Sequence, residues 1–133
     1  MRELRVETVR RTQLLDVTGQ VQALLEDDEG LLVTLFVPHT TAGIVVQAAG
    51  ERASAVAADV ESAFDRLVDE GWPWKHVHEG DANPWSHVRT ALTASSVSIP
   101  LDAGRLALGA NQAVFLAEFD GPRERSIYVT VSR

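Results

Sequence analysis

The chain has 133 residues, a formal net charge of −7, no cysteine and 45% hydrophobic residues. That length predicts a single domain spanning 1–133 with its own core, and the negative charge argues against a nucleic-acid partner, which needs a basic face. Without cysteine there are no disulfides, thiol nucleophiles or thiolate metal sites, so any metal must be held by His, Asp or Glu. No apolar run approaches the roughly 20 residues of a transmembrane helix. The opening "MRELRVETVRR" lacks an apolar segment, which predicts no secretory signal and a cytoplasmic protein.

"LRVETV" at 4–9 alternates apolar and polar residues and predicts a strand. In "LLDVTGQVQALLEDDEG", Asp16 or Thr18 is placed to cap a short helix carrying Val21, Leu24 and Leu25, with Gly30 closing it. "LLVTLFVP" at 31–38 is a continuous apolar run ended by Pro38, which predicts a strand buried on both faces. "GIVVQA" at 43–48 predicts another strand. Between 51 and 70, Ala53, Val56, Val60, Phe64 and Leu67 recur at steps of three and four, a helical stripe. Gly71 and Pro73 end that helix, and "SHVRTALTA" at 86–94 predicts a second one starting near Ser86. The last third, from "SVSIPL" to "SIYVTVS", reads as alternating strands joined by turns, an antiparallel meander. The expected fold is α+β: an antiparallel sheet or sandwich, one long helix and one or two short ones.

His39 leaves a buried strand and enters the small, hydroxyl-rich turn Thr40–Thr41, where Gly43 allows close approach of a ligand. The other three histidines lie in "WPWKHVHEGDANPWSHV", from Trp72 to Val88. His76 and His78 are two apart, so on an extended segment they face opposite sides. His87 can fold back toward His76 across the loop. Glu79, Asp81 and Asn83 sit among them, a mixture that suits either a metal site or a plain polar loop. The three tryptophans of the chain flank this loop, and either anchor it or line a pocket. Gln112 and Glu118 share one face of a strand with Val114 and Leu116 between them. Arg123 and Arg125 occupy a turn, where arginine either holds a phosphate or is plain surface charge.

"FVPHTTAGIVVQ", "KHVHEGDANPWSHVRTAL" and "SVSIPLDAGRLALGANQAVFLAEFDGPRERSIYVTV" together resemble the YjbQ family, uncharacterised protein family 0047, also called the secondary thiamine-phosphate synthase group. The resemblance runs over nearly the whole chain. It implies a compact trimer with a histidine-lined pocket near the subunit boundary. The implied activity is that of a transferase joining hydroxymethylpyrimidine diphosphate to a thiazole phosphate with release of pyrophosphate. On that reading His39, His76, His87 and Glu118 are the catalytic candidates. Thr40, Thr41, Asn83, Arg89, Gly109, Gln112 and Arg123 are the substrate-binding candidates, with Arg89 and Arg123 holding phosphate. The three histidines are expected to converge, either as neutral imidazoles on a divalent ion, Zn or Mg, or once protonated on an anion, while His78 points elsewhere. The alternative is a non-catalytic trimeric module that binds a metal or metabolite. Ala48 and Ala49 stand where the family commonly has Glu-Asn, Trp85 replaces a small or polar residue, and Asn111 replaces a Trp.

Overall fold

The computed structural model describes residues 1–77 and 82–133. Along the chain run β1 (Arg2–Glu7), β2 (Gln13–Asp16), α1 (Thr18–Leu24), β3 (Leu32–Phe36), β4 (Ala42–Ala48) and α2 (Ala53–Leu67). There follow α3 (Pro84–Ala91), β5 (Ser96–Asp102), β6 (Arg105–Leu106), β7 (Gln112–Glu118) and β8 (Glu124–Ser132). The strands form two antiparallel sheets, one ordered β1-β8-β3-β5-β6 and the other β2-β7-β4. The α+β class expected from the sequence is the one observed.

Strand parity decides how the layers stack. Val33 and Leu35 of β3, and Ile127 and Val129 of β8, meet Ile44 of β4 and Val114 and Leu116 of β7 between the sheets; Val21 of α1 and Leu25 just beyond its end close that core. Each such side chain, fully buried, contributes about 1.5–3 kcal/mol. The opposite parity of β7, Ala113, Phe115 and Ala117, joins Leu14 and Phe119 against Ala57, Val60 and Phe64 of α2. The three layers are thus the larger sheet, the smaller sheet and α2, with β7 as the central strand of the middle layer.

Several expectations change. The strands after residue 95 do not form one meander. β7 inserts between β2 and β4, and β8 between β1 and β3, because both have their partners in the first third of the chain. β7, expected as an alternating strand, is buried on both faces, since each face meets its own layer. β3 is the reverse case: only Val33 and Leu35 face the core, and Phe36 is 44% exposed, stacked on Tyr128 at 6.4 Å. β2 was not foreseen: it is a four-residue strand that runs directly into the start of the expected helix. α1 stops at Leu24, well before Gly30, and its entry is shaped by Asp16 Oδ1 accepting the Thr18 amide at 2.9 Å.

On α2 the stripe ends one residue late. Leu67 is 66% exposed and Val68 is buried instead at 2%, because the helix gives way to extended backbone at Val68. Phe64 packs on Phe119 with ring centroids 5.0 Å apart but is only half-buried. It therefore holds less than the roughly 3–5 kcal/mol that a fully buried phenylalanine loses on truncation. α3 begins at Pro84, whose fixed φ suits the first helical position.

Candidate functional site

β3 and β8 pair with Phe36 opposite Tyr128, so the chain leaving β3 through Pro38 runs on beside Ser126. There the Ser126 amide donates to His39 Nε2 at 2.9 Å. Burial, and next the charge of Arg125, hold the His39 pKa below its ordinary value. Both effects disfavour the imidazolium.

Beneath His39 lies a buried ion pair. Arg125 shares the inward parity of Ile127 and Val129, and Glu118 that of Val114 and Leu116, so the two meet where the sheets face each other. Arg125 Nε donates to Glu118 Oε2 at 2.7 Å, and its Nη2 donates to Glu118 Oε1 and to Thr41 Oγ1, the latter at 2.8 Å. Glu118 also accepts from the Thr8 hydroxyl and from the Asp120 amide, each at 2.9 Å. Gly121 belongs to this arrangement: a Cβ there would stand 2.2 Å from the Arg10 carbonyl and 2.9 Å from Glu118 Cγ.

The turn after β7 supplies the outer wall. Asp120 Oδ2 accepts from Arg123 Nη2 and from Asn83 Nδ2, both at 2.8 Å, and the Asp120 carbonyl accepts from Arg123 Nε at 2.9 Å. Asn83 Oδ1 faces His76 Nε2 at 2.9 Å. α3 is fastened to the same turn by Ser86, whose buried hydroxyl donates to the Phe119 carbonyl at 2.6 Å. One helical residue further, His87 packs edge-on against His76, with ring centroids 5.2 Å apart.

Two cavities share His87. A polar cleft of about 390 Å³ is lined by His39, Thr40, Thr41, Asn83, His87, Asp120 and the two arginines at 123 and 125. A more apolar cavity of about 560 Å³ is walled by Pro73, Trp74, Lys75, His76, Pro84 and Val88. Trp74 is held by its indole N–H on the Glu70 carbonyl at 3.1 Å and by Trp72, 5.4 Å away.

Residues 2–133 match the profile of the family described as UPF0047 protein YjbQ-like. The chain belongs to that family. A UPF0047 protein of Archaeoglobus fulgidus is 37% identical over 127 residues, 96% of this chain and 97% of its own. The YjbQ-like fold recurs in a hypothetical protein of Thermus thermophilus, at 35% identity and a TM-score of 0.87 over 98% of this chain and 99% of the other. It recurs again in a hypothetical protein of Aeropyrum pernix, at 36% identity and 0.87 over 98% and 96%.

Within this YjbQ-like frame the expected site residues divide. His39, Thr40, Thr41, Asn83, His87 and Arg123 line the polar cleft, His76 stands behind Asn83, and Glu118 lies underneath, fully buried. Arg89 does not join them. Only 1% exposed, it donates to the Val68 carbonyl at 2.8 Å and pairs with Asp65, satisfying the C-terminal end of α2. Gly109 and Gln112 bond to each other at the opposite end of β7, the Gly109 amide donating to Gln112 Oε1 at 2.8 Å. Gly43 serves packing: a Cβ there would meet Thr93 Oγ1 at 2.0 Å, so its bareness admits the segment after α3 rather than a ligand. His78, Glu79 and Asp81 lie outside the described residues.

Among the described residues no three His, Asp or Glu side chains are grouped to hold an ion. The Nε2 atoms of His39 and His76 already face Ser126 and Asn83, so a metal at either ring would have to displace that contact or use Nδ1. Asp120, Ser126, Thr8 and Ser86 complete the site without having been candidates for it, and Arg125, read as a turn arginine, lies instead on β8 facing inward. Arg125 carried a readable signal, a charge placed at the inward parity of an otherwise apolar strand.

Proposed function

We propose that the polar cleft binds the phosphate or diphosphate of a small molecule, and that the neighbouring cavity receives a planar ring. On this reading the protein joins hydroxymethylpyrimidine diphosphate to thiazole phosphate, forming thiamine phosphate and releasing pyrophosphate. The observation that supports it is the sharing of His87 by a cleft rich in cationic and hydroxyl groups and a cavity walled by Trp74. Two reactants lying in adjoining cavities would meet at that histidine. The chemistry asks the protein chiefly for orientation and for positive charge near the departing pyrophosphate. Arg123 supplies the charge, with hydroxyls from Thr40 and Thr41 beside it. Purified protein given both precursors is expected to release pyrophosphate in step with thiamine phosphate, and His87→Ala to remove that turnover. No product above a protein-free blank would refute the enzymatic reading.

A second reading, a module that binds a phosphorylated metabolite without transforming it, is favoured by one feature. Arg125 is neutralised by Glu118 and Arg123 is paired with Asp120, which leaves little uncompensated charge for a leaving group. Binding without turnover would select this reading. In either case the assembly proposed is a homotrimer, since the Phe36–Tyr128 stack lies on the face of the larger sheet turned away from the core and association would cover it. Light scattering is expected to give three times the chain mass, and a monomer at micromolar concentration would count against it. The site needs no membrane, and no described helix is long and apolar enough to cross one.

A further inference from the structure

The geometry points to His39 as a neutral imidazole that offers its Nδ1–H to an anionic oxygen in the cleft, positioned by the Ser126 amide. A backbone amide can only donate, so the 2.9 Å contact from Ser126 requires a lone pair on His39 Nε2. The ring proton of the neutral form is then on Nδ1. Protonating the ring would set an N–H against an N–H at that contact. The Ser126 amide is not free to adjust, because β8 is held by β1 on one side, with Arg5 opposite Ser126, and by β3 on the other from Tyr128 onward.

A second contact nearby has the opposite polarity. Asp120 pairs with Arg123 through Oδ2, the oxygen that also faces Asn83. A carboxylate only accepts, so Asn83 must present its amide nitrogen to Asp120 and its oxygen to His76. His76 Nε2 therefore carries a proton. His39 in the cleft and His76 behind its Asn83 wall thus carry their Nε2 contacts with opposite polarity, an acceptor at His39 and a donor at His76. The arrangement turns a donor, not a lone pair, from His39 to the cleft. That suits a phosphate oxygen and works against a role for His39 as a metal ligand or general base through Nε2. This inference rests on the reading of the cleft as an anion site, and names how that site contacts its ligand.

The test uses the full chain, inorganic pyrophosphate as probe and two substitutions. An asparagine side-chain nitrogen reaches about where histidine Nδ1 lies, while a glutamine amide reaches the Nε2 position. His39→Asn is expected to keep pyrophosphate affinity within about threefold, and His39→Gln to lower it about tenfold or more, the scale of a hydrogen bond to a charged group. Long-range proton–nitrogen spectra of the unsubstituted protein at neutral pH are expected to show the His39 proton on Nδ1 and the His76 proton on Nε2. A proton on His39 Nε2, or greater loss in His39→Asn than in His39→Gln, would overturn the inference. If the unsubstituted protein binds no pyrophosphate while His39 keeps its Nδ1 proton, the anion-site reading fails and the donor role falls with it. If it binds pyrophosphate and both variants bind equally well, only the donor role fails.

Discussion

Glu118→Ala is expected to lower the free energy of unfolding by about 3–5 kcal/mol in a urea titration, the cost of leaving a buried charge without its partner. The side chains of Arg125 and Glu118 are 5% and 0% exposed. Removing the carboxylate would strand the guanidinium between the sheets with only Thr41 to receive it. It would also orphan the Asp120 amide and leave the Thr8 hydroxyl with only its longer acceptor, the Arg123 carbonyl at 3.2 Å. Since a domain of this size is held by only about 5–15 kcal/mol in total, the substitution approaches the limit of what the fold tolerates. Truncating both partners to apolar residues of similar size is expected to recover most of the loss, because burying the pair carries its own desolvation penalty. A loss below about 1 kcal/mol for Glu118→Ala would mean that the pair is solvated, as surface pairs of that strength are.

Arg123→Gln is expected to weaken pyrophosphate binding about 10- to 100-fold, since hydrogen bonds to a charged group contribute about 1.5–3 kcal/mol. The side chain is half exposed, and its ion pair with Asp120 is shared with a backbone carbonyl of the same turn. Stability is therefore expected to change by less than about 1 kcal/mol. Calorimetric titration separates this from a folding defect, because the unfolding midpoint stays near that of the unsubstituted protein. Unchanged affinity would take Arg123 out of the site. The comparison substitution is Arg89→Gln, which removes an equal charge from a buried side chain at the end of α2. It is expected to reduce stability and leave affinity per folded molecule unaltered.

The contrast between these two arginines shows where the sequence was legible. Spacing identifies an arginine in a turn or on a helix, but not which way the helix rolls. α3 turns Arg89 toward the end of α2 and His87 toward the cleft, and that roll is set by Ser86 bonding to Phe119, a contact 33 residues apart in the chain. The class of the fold was readable because period-two and period-3.6 patterns are local. Sheet membership was not, because β7 and β8 find partners about a hundred residues earlier, at β2 and β1. The double burial of β7 was likewise hidden, since Ala113 and Ala117 on one side and Val114 and Leu116 on the other are equally apolar. His39, Asn83 and His87 were reachable from placement and resemblance. Asp120, which joins Asn83 to Arg123, was read only as part of a turn.

The central claim is that the cleft between His39 and Arg123 is an anion site, and a crystal structure of the protein soaked with pyrophosphate tests it most directly. The account predicts pyrophosphate within hydrogen-bond distance of Arg123 and His39 Nδ1, with Thr40 or Thr41 contributing a hydroxyl. Pyrophosphate found instead in the groove that Arg10, Arg11 and Arg66 line across α2, with the His39 cleft empty at saturating concentration, would contradict it.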